Sequence, residues 1–357
     1  MNDRENLISL LRRQGYERMP PLYSPSPAVQ KKLDDYAAGT GYVLPQQAFD
    51  DLPQPTERAP KTQAFWQAWW DRPFRPGTLF TNWGCAHEPG SAASYHMTRM
   101  YHPLEDMETA EELSRYPYPD YEEGPSAEML EAARSIRAAG RFSMGNMQCT
   151  VWETAWYLRG MEVLMMDMMT DPPMAELVLD TVTEQAIRRA RCFAKAGADG
   201  LYLGDDIGGQ STVLMSRELY CRFLKPRLKA VIDAARAVKP DIIVFYHSCG
   251  YVEPFLEDLI EAGVDVLNPI QPESMDFRTI FDRYHDRLSF CGTVGTQTVM
   301  PFGTPEQVRR QVRETLDHVG PAGGLLICPT HVLEPEVPVE NVIAYLEACR
   351  DYRPAAR

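Results

Sequence analysis

The chain has 357 residues, 44% of them hydrophobic and 24% charged, and a formal net charge of −14. A chain of this size can bury a large core, and its acidity excludes charge-driven roles on nucleic acid or anionic membrane. No apolar run approaches the roughly 20 residues of a spanning helix, residues 1–14 are polar, and the eight cysteines are too scattered for a disulfide framework, so a reduced cytoplasmic protein is expected.

Residues 1–76 read as a cap of short helices and irregular chain. A helix over Asn6–Arg13 is broken by Pro20-Pro21, Pro25 and Pro27, and a second over Val29–Ala38 ends at Gly39. Trp66, Trp69 and Trp70 fall on one face of a third helix, where packing explains them better than substrate stacking.

From Thr78 a strand–helix rhythm sets in. Leu79–Trp83 is the first expected strand, with an extra strand at Tyr95–Tyr101 and helices from Ala110 and over Ser126–Ala139. Strands are expected at Phe142–Met147, Gly200–Leu203, Ile242–Tyr246, Val264–Asn268, Leu288–Cys291 and Gly324–Cys328. Helices separate them at Trp152–Leu158, Pro173–Ala196, Ser216–Val238 (kinked at Pro226), Glu253–Ala262, Met275–Tyr284, Pro305–Val319 and Val339–Cys349. The strands are apolar on both faces, as a sheet covered by helices requires. The rhythm predicts a (β/α)₈ barrel over residues 77–357 with an N-terminal helical extension, and no Gly-x-Gly-x-x-Gly follows the first strand to suggest a dinucleotide fold.

In such a barrel the polar residues at the strand C-termini meet at one mouth. They are Asn82, Cys85 and His87; Gln148, Cys149 and Glu153; Asp205 and Asp206; His247 and Cys249; Asn268 and Gln271; Cys291; then Cys328 and His331. Imidazole and thiolate together suit Zn²⁺. Cys192, Cys221 and Cys349 fall on helices and read as packing residues. Asp205-Asp206 also fits a plain polar turn, and Glu153 lies among Trp152, Trp156 and Tyr157, where a carboxylate is either partnered or functional.

Three segments carry a resemblance: His247-Ser-Cys-Gly-Tyr-Val-Glu-Pro, Gly292-Thr-Val-Gly-Thr-Gln with Pro301-Phe-Gly-Thr-Pro-Glu, and Pro329-Thr-His-Val-Leu-Glu-Pro-Glu. Over residues 77–350 the chain resembles the uroporphyrinogen decarboxylase superfamily, and within it the cobalamin-dependent methyltransferase branch. The resemblance implies a (β/α)₈ barrel with its site in a funnel at the strand C-termini. True decarboxylases of the family work without metal and use an Asp after the first strand, in a pattern like Phe-Ser-Asp. The expected first strand here ends Phe80-Thr81-Asn82, which counts against that activity. The methyltransferase branch implies zinc held by His-x-Cys, matched by His247 and Cys249, and by a distant third ligand. At the third position stands His331, with Cys328 three residues earlier as the other choice.

The expectation is thus a zinc-dependent methyltransferase that exchanges a methyl group between a small methylated substrate or thiol and a methylcorrinoid carried by a separate protein. Glu153 is expected as a displaceable fourth ligand or general acid, Asp205 and Asp206 as positioning groups. Asn82, Trp83, Trp152, Trp156 and Tyr246 would contact the substrate. A metal-free decarboxylase and a non-enzymatic metabolite- or corrinoid-binding barrel are the alternatives.

Overall fold

The computed structural model describes residues 1–90 and 98–354. Ten strands are assigned among them: β1 Asp50–Asp51, β2 Leu79–Phe80, β3 Ala86–Glu88, β4 Arg99–Tyr101, β5 Ser143–Gln148, β6 Gly200–Gly204, β7 Ile243–His247, β8 Val266–Asn268, β9 Ser289–Val294 and β10 Leu325–Pro329. Seven form one parallel sheet in the order β1-β5-β6-β7-β8-β9-β10. Each strand from β5 onward lies beside the next one in sequence, the arrangement that helical crossovers produce. Central strand residues such as Leu201, Val244, Phe245, Leu267, Phe290 and Leu326 are fully buried, because the sheet is covered on both faces.

The crossover helices follow their sequence signals. Thr304 and Gln307 form a capping box at the start of Pro305–Val319, whose buried residues are Val308, Val312, Leu316 and Val319. The expected helix over Ser216–Val238 is divided. Tyr220–Leu224 winds as one π turn before Lys225–Arg236. Pro226 has no N–H to give the preceding turn and its ring crowds that turn's carbonyl, so the backbone widens ahead of it. A methionine-rich helix, Met161–Thr170, fills a stretch to which no element was assigned.

The N-terminal third departs most from expectation. Leu79–Phe80 is not the first strand of the main sheet. It pairs antiparallel with β3, and β3 with β4, in a separate three-stranded sheet. Leu79 is 66% exposed, so the run lacks the two-sided burial that the main sheet demands. Residues 95–97 of the expected extra strand lie outside the described residues, and its end is β4. The first strand of the main sheet is β1, inside the segment read as a cap; Asp50 pairs with Ser143 and Asp51 with Met144.

Among the described residues no ladder joins β1 to β10, where an eighth strand would close a barrel. Residues 22–26 occupy that seam. On one side Leu333 N–H donates to Ser24 O and Ser26 N–H to Leu333 O. On the other, the Gln47 side chain accepts from Tyr23 N–H at 3.0 Å and donates to Tyr23 O at 3.0 Å. Pro20, Pro21, Pro25 and Pro27 remove the donors a regular strand would need.

Candidate metal centre and cavity

The ladder between β6, β7 and β8 puts Gly204, His247 and Asn268 in one row. A Cβ on Gly204 would stand 2.7 Å from His247 Cβ, so glycine there makes room for the imidazole. Beyond the strand ends the two loops pack backbone on backbone. Gly250 has φ +79°, and a Cβ on it would lie 2.4 Å from Gly209 O; one on Gly208 would lie 2.8 Å from Cys249 O. This close approach places Asp206 beside Cys249, whose N–H donates to Asp206 Oδ1 at 2.7 Å.

One ligand atom from each of Asp206, His247 and Cys249 lies within 4.8 Å of the others, the only such group of three among the described residues. Cys249 Sγ is 3.4 Å from His247 Nε2, and Asp206 Oδ1 is 3.7 Å from the same nitrogen. A tetrahedral zinc centre with bonds of ~2.0–2.3 Å sets its donors about 3.3–3.8 Å apart, and the distances from the imidazole nitrogen to the sulfur and to the oxygen both fall in that range. Burial first, then the Asp206 and Glu153 carboxylates, push the Cys249 thiol well above its ordinary range. A thiolate here needs a cation, and Arg141, the one Lys or Arg lining the cavity, is held by Asp50.

Asp206 and His247 of the triad line a cavity of about 970 Å³ that reaches from the strand C-termini into the β1–β10 seam. Glu153, Asp206, His247, Cys328 and His331 line it, and so do residues that the sequence did not single out: Tyr23, Phe49, Asp51, Arg141, Tyr157 and Tyr202. Arg141 donates to both carboxylate oxygens of Asp50 at 2.9 and 3.0 Å and to Gln47 O at 2.6 Å. Asp51 has Asn146 Nδ2 at 3.3 Å, and burial raises its pKa above the ordinary carboxylate value. Glu153 accepts from Tyr157 O–H at 3.2 Å. Its pKa is raised to about 8, mostly by burial and then by Asp206 and Asp205, so it holds a proton at neutral pH.

Several expected site residues stand elsewhere. Neither His331 nor Cys328 brings a ligand atom into the triad; Asp206, expected to position substrate, takes that place. Cys328 Sγ instead lies 3.7 Å from Cys291 Sγ across neighbouring strands. Asp205 is turned inward and buried, and its carboxylate accepts from Val151 N–H at 3.1 Å and Glu153 N–H at 2.9 Å. It thereby caps the helix Trp152–Arg159 from another strand, with its pKa raised to about 7 by burial. Asn82, Trp83, Trp152, Trp156 and Tyr246 are all absent from the cavity lining. Asn82 donates to Tyr121 O–H beside the small sheet, and Trp83 O accepts from Tyr116 O–H. Trp152 is fully buried, Trp156 packs against Tyr157 and His102, and Tyr246 O–H donates to Asp205 O. Tyr23, Phe49, Tyr157 and Tyr202 supply the aromatic wall instead. The main sheet's first strand, β1, ends in Asp51, which lines the cavity, so a carboxylate stands at that strand end where the sequence reading placed Asn82. Asn82 lies beside the small sheet and so does not mark that position.

Comparisons with known proteins place these features in context. Residues 97–352 match the family model for uroporphyrinogen decarboxylase (URO-D). A methylated-thiol–coenzyme M methyltransferase from Methanosarcina mazei is 28% identical over 201 residues, 55% of this chain and 50% of that protein. The chain thus spans about half the length of this relative. A uroporphyrinogen decarboxylase from Alcanivorax borkumensis is 21% identical over 250 residues, 68% of this chain and 69% of the other. The solved structure of a methyltransferase from Methanosarcina mazei superposes with a TM-score of 0.66 over 98% of both chains, at 19% identity, and so shares the fold.

Proposed function

The chain belongs to the uroporphyrinogen decarboxylase family, and from that premise we propose that it is a zinc-dependent methyltransferase working with a corrinoid protein. The observation that carries this reading is the Asp206–His247–Cys249 group, whose Asp206 and His247 line a cavity large enough for a small substrate. Three protein donors leave a position open, and zinc bound there would act as a Lewis acid on the oxygen or sulfur bearing the methyl group.

The chain's own residues supply the rest. Tyr23, Phe49, Tyr157 and Tyr202 offer an apolar wall to a small methylated, aromatic or thioether compound. Glu153, protonated at neutral pH and hydrogen-bonded to Tyr157, is placed to give a proton to the departing heteroatom. Asp205 holds the helix start from which Glu153 projects. The corrinoid, on its own protein, would meet the strand C-termini where the cavity opens.

Charge separates this reading from decarboxylation of a polycarboxylate. Arg141 is occupied by Asp50 and Gln47, while Asp51 and Asp206 face the same space, so a substrate with many carboxylates would meet repulsion and no free cation. One observation favours the decarboxylase as a second reading: Asp51 at the end of β1, where that chemistry places its carboxylate. A single assay decides. Protein purified without added zinc is analysed for metal, then offered methoxyarenes, methyl thiols and methylamines with a reduced corrinoid protein. About one zinc per chain and a shift of the corrinoid spectrum are expected. Metal-free protein that turns over uroporphyrinogen would replace this reading with the second, and a protein that binds corrinoid or metabolite without turnover would make it a carrier.

A further inference from the structure

We infer that Asn268 is a positioning residue that sets the tautomer of His247 and so leaves Nε2 bare for a metal; this rests on the metal reading of the Asp206–His247–Cys249 group. Asn268 ends β8, directly opposite His247 in the ladder, and is buried. Its side chain has three polar neighbours. Nδ2 donates to the backbone carbonyl of Cys291 at 2.7 Å. Oδ1 is 2.7 Å from Tyr202 O–H and 2.5 Å from His247 Nδ1.

The orientation of the amide follows from the one neighbour that has no choice. A backbone carbonyl can only accept, so the Asn268 atom facing Cys291 O must be the NH₂. Turning the amide over would set two buried acceptors 2.7 Å apart. With the amide so fixed, Oδ1 faces both Tyr202 and His247, and each must donate to it. A neutral imidazole that donates from Nδ1 carries its lone pair on Nε2. Nε2 is the atom that faces Cys249 Sγ at 3.4 Å and Asp206 Oδ1 at 3.7 Å. A carbonyl on β9 therefore selects, through one amide on β8, which nitrogen of β7 is free to ligate. Tyr202, on β6, adds a second donor to the same oxygen but does not choose its direction.

The test is nitrogen NMR of ¹⁵N-histidine-labelled, metal-free protein above the imidazole pKa, with the His247 signal assigned by its loss in His247→Gln. The protonated Nδ1 form is expected in the wild-type protein and in Tyr202→Phe. In Asn268→Leu the Nε2-protonated form should take over, and zinc affinity, measured by chelator competition, should fall about 10- to 100-fold. Wild-type protein with its proton on Nε2 overturns the inference outright, even if Asn268→Leu fails to fold. So does an Asn268→Leu protein that keeps the Nδ1 proton and binds zinc as the wild type does. An Nδ1 proton in a wild-type protein that takes up no zinc would support the tautomer assignment while overturning the metal reading.

Discussion

The two sides of the cavity are built in different ways. On the β6–β7–β8 side, regular ladders set the register and the following loops touch backbone to backbone through Gly208 and Gly250. On the other side, among the described residues no ladder joins β1 to β10, and residues 22–26 are held by the Gln47 amide, the Tyr345 hydroxyl and two backbone bonds to Leu333. The first construction mounts the donor atoms on paired strands and backbone-packed loops, the rigid support a metal centre needs. The second tolerates changes of side chain and length, which suits a surface that selects among substrates. On the proposed reading, metal ligation falls to the ladder side, and the seam contributes Tyr23 and Phe49 to the substrate wall.

The largest expected effects test that separation directly. His247→Ala or Cys249→Ala should remove zinc from the purified protein, as metal analysis would show, with folding stability changed by no more than about 1 kcal/mol. His331→Ala and Cys328→Ala, on the seam side, should keep it. If His331→Ala also emptied the site, the boundary between the halves would be drawn in the wrong place. Next comes the backbone that holds the ligands. Gly250→Ala forces a left-handed φ and a clash with Gly209 O, and should cost about 1–3 kcal/mol in urea unfolding together with much of the zinc affinity.

Gln47→Ala probes the other half. Losing both bonds to Tyr23 should cost about 1 kcal/mol, leave zinc content unchanged and appear as a raised KM. A loss of zinc in this variant would mean that the halves are mechanically coupled. The smallest effect concerns protons. The Glu153 pKa is raised to about 8, so below that pH the metal-free protein carries a proton there. The Cys249 thiol must give up its proton to ligate a cation, whereas the acid role requires Glu153 to keep its own beside the metal. Zinc binding at pH 7 should therefore release the same number of protons in Glu153→Gln as in the wild type. A release smaller by one in the variant, read with a pH indicator, would show that Glu153 loses its proton to the metal and is not the acid.

The same division explains what the sequence made legible. From Phe142 onward apolar runs and helix caps locate each strand of the main sheet, and His247 with Cys249 follows from the end of one of them. β1 escaped because two aspartates between Phe49 and Pro53 have none of the apolar signature of a buried strand. The seam escaped because its bonds, some from side chains and two from the Leu333 backbone, follow no strand pattern that a sequence would show. Asp205 and Asp206 look alike in sequence; only the fold turns one inward to cap a helix and the other outward to the triad. The tryptophans and Tyr246 were drawn to the site by proximity in sequence, yet large apolar rings beside strand ends are also what the core needs.

The three-stranded sheet between β1 and β5 has a consequence for assembly. From β5 to β10 every strand finds its partner after one helical connection, but β1 finds β5 only across that whole insertion, residue 50 against residue 143. Closing so long a loop for two residues of ladder is entropically unfavourable until the partner edge already exists. Pulse-labelled hydrogen exchange should therefore protect the amides of β6 and β7 well before those of Asp50 and Leu52, which donate to Phe142 O and Met144 O. Simultaneous protection would contradict this order. If the order holds, Asp206, His247 and Cys249 are brought together while the cavity still lacks its far wall, and the binding-competent shape is completed by a segment that precedes the other strands of the sheet in the chain yet docks after them.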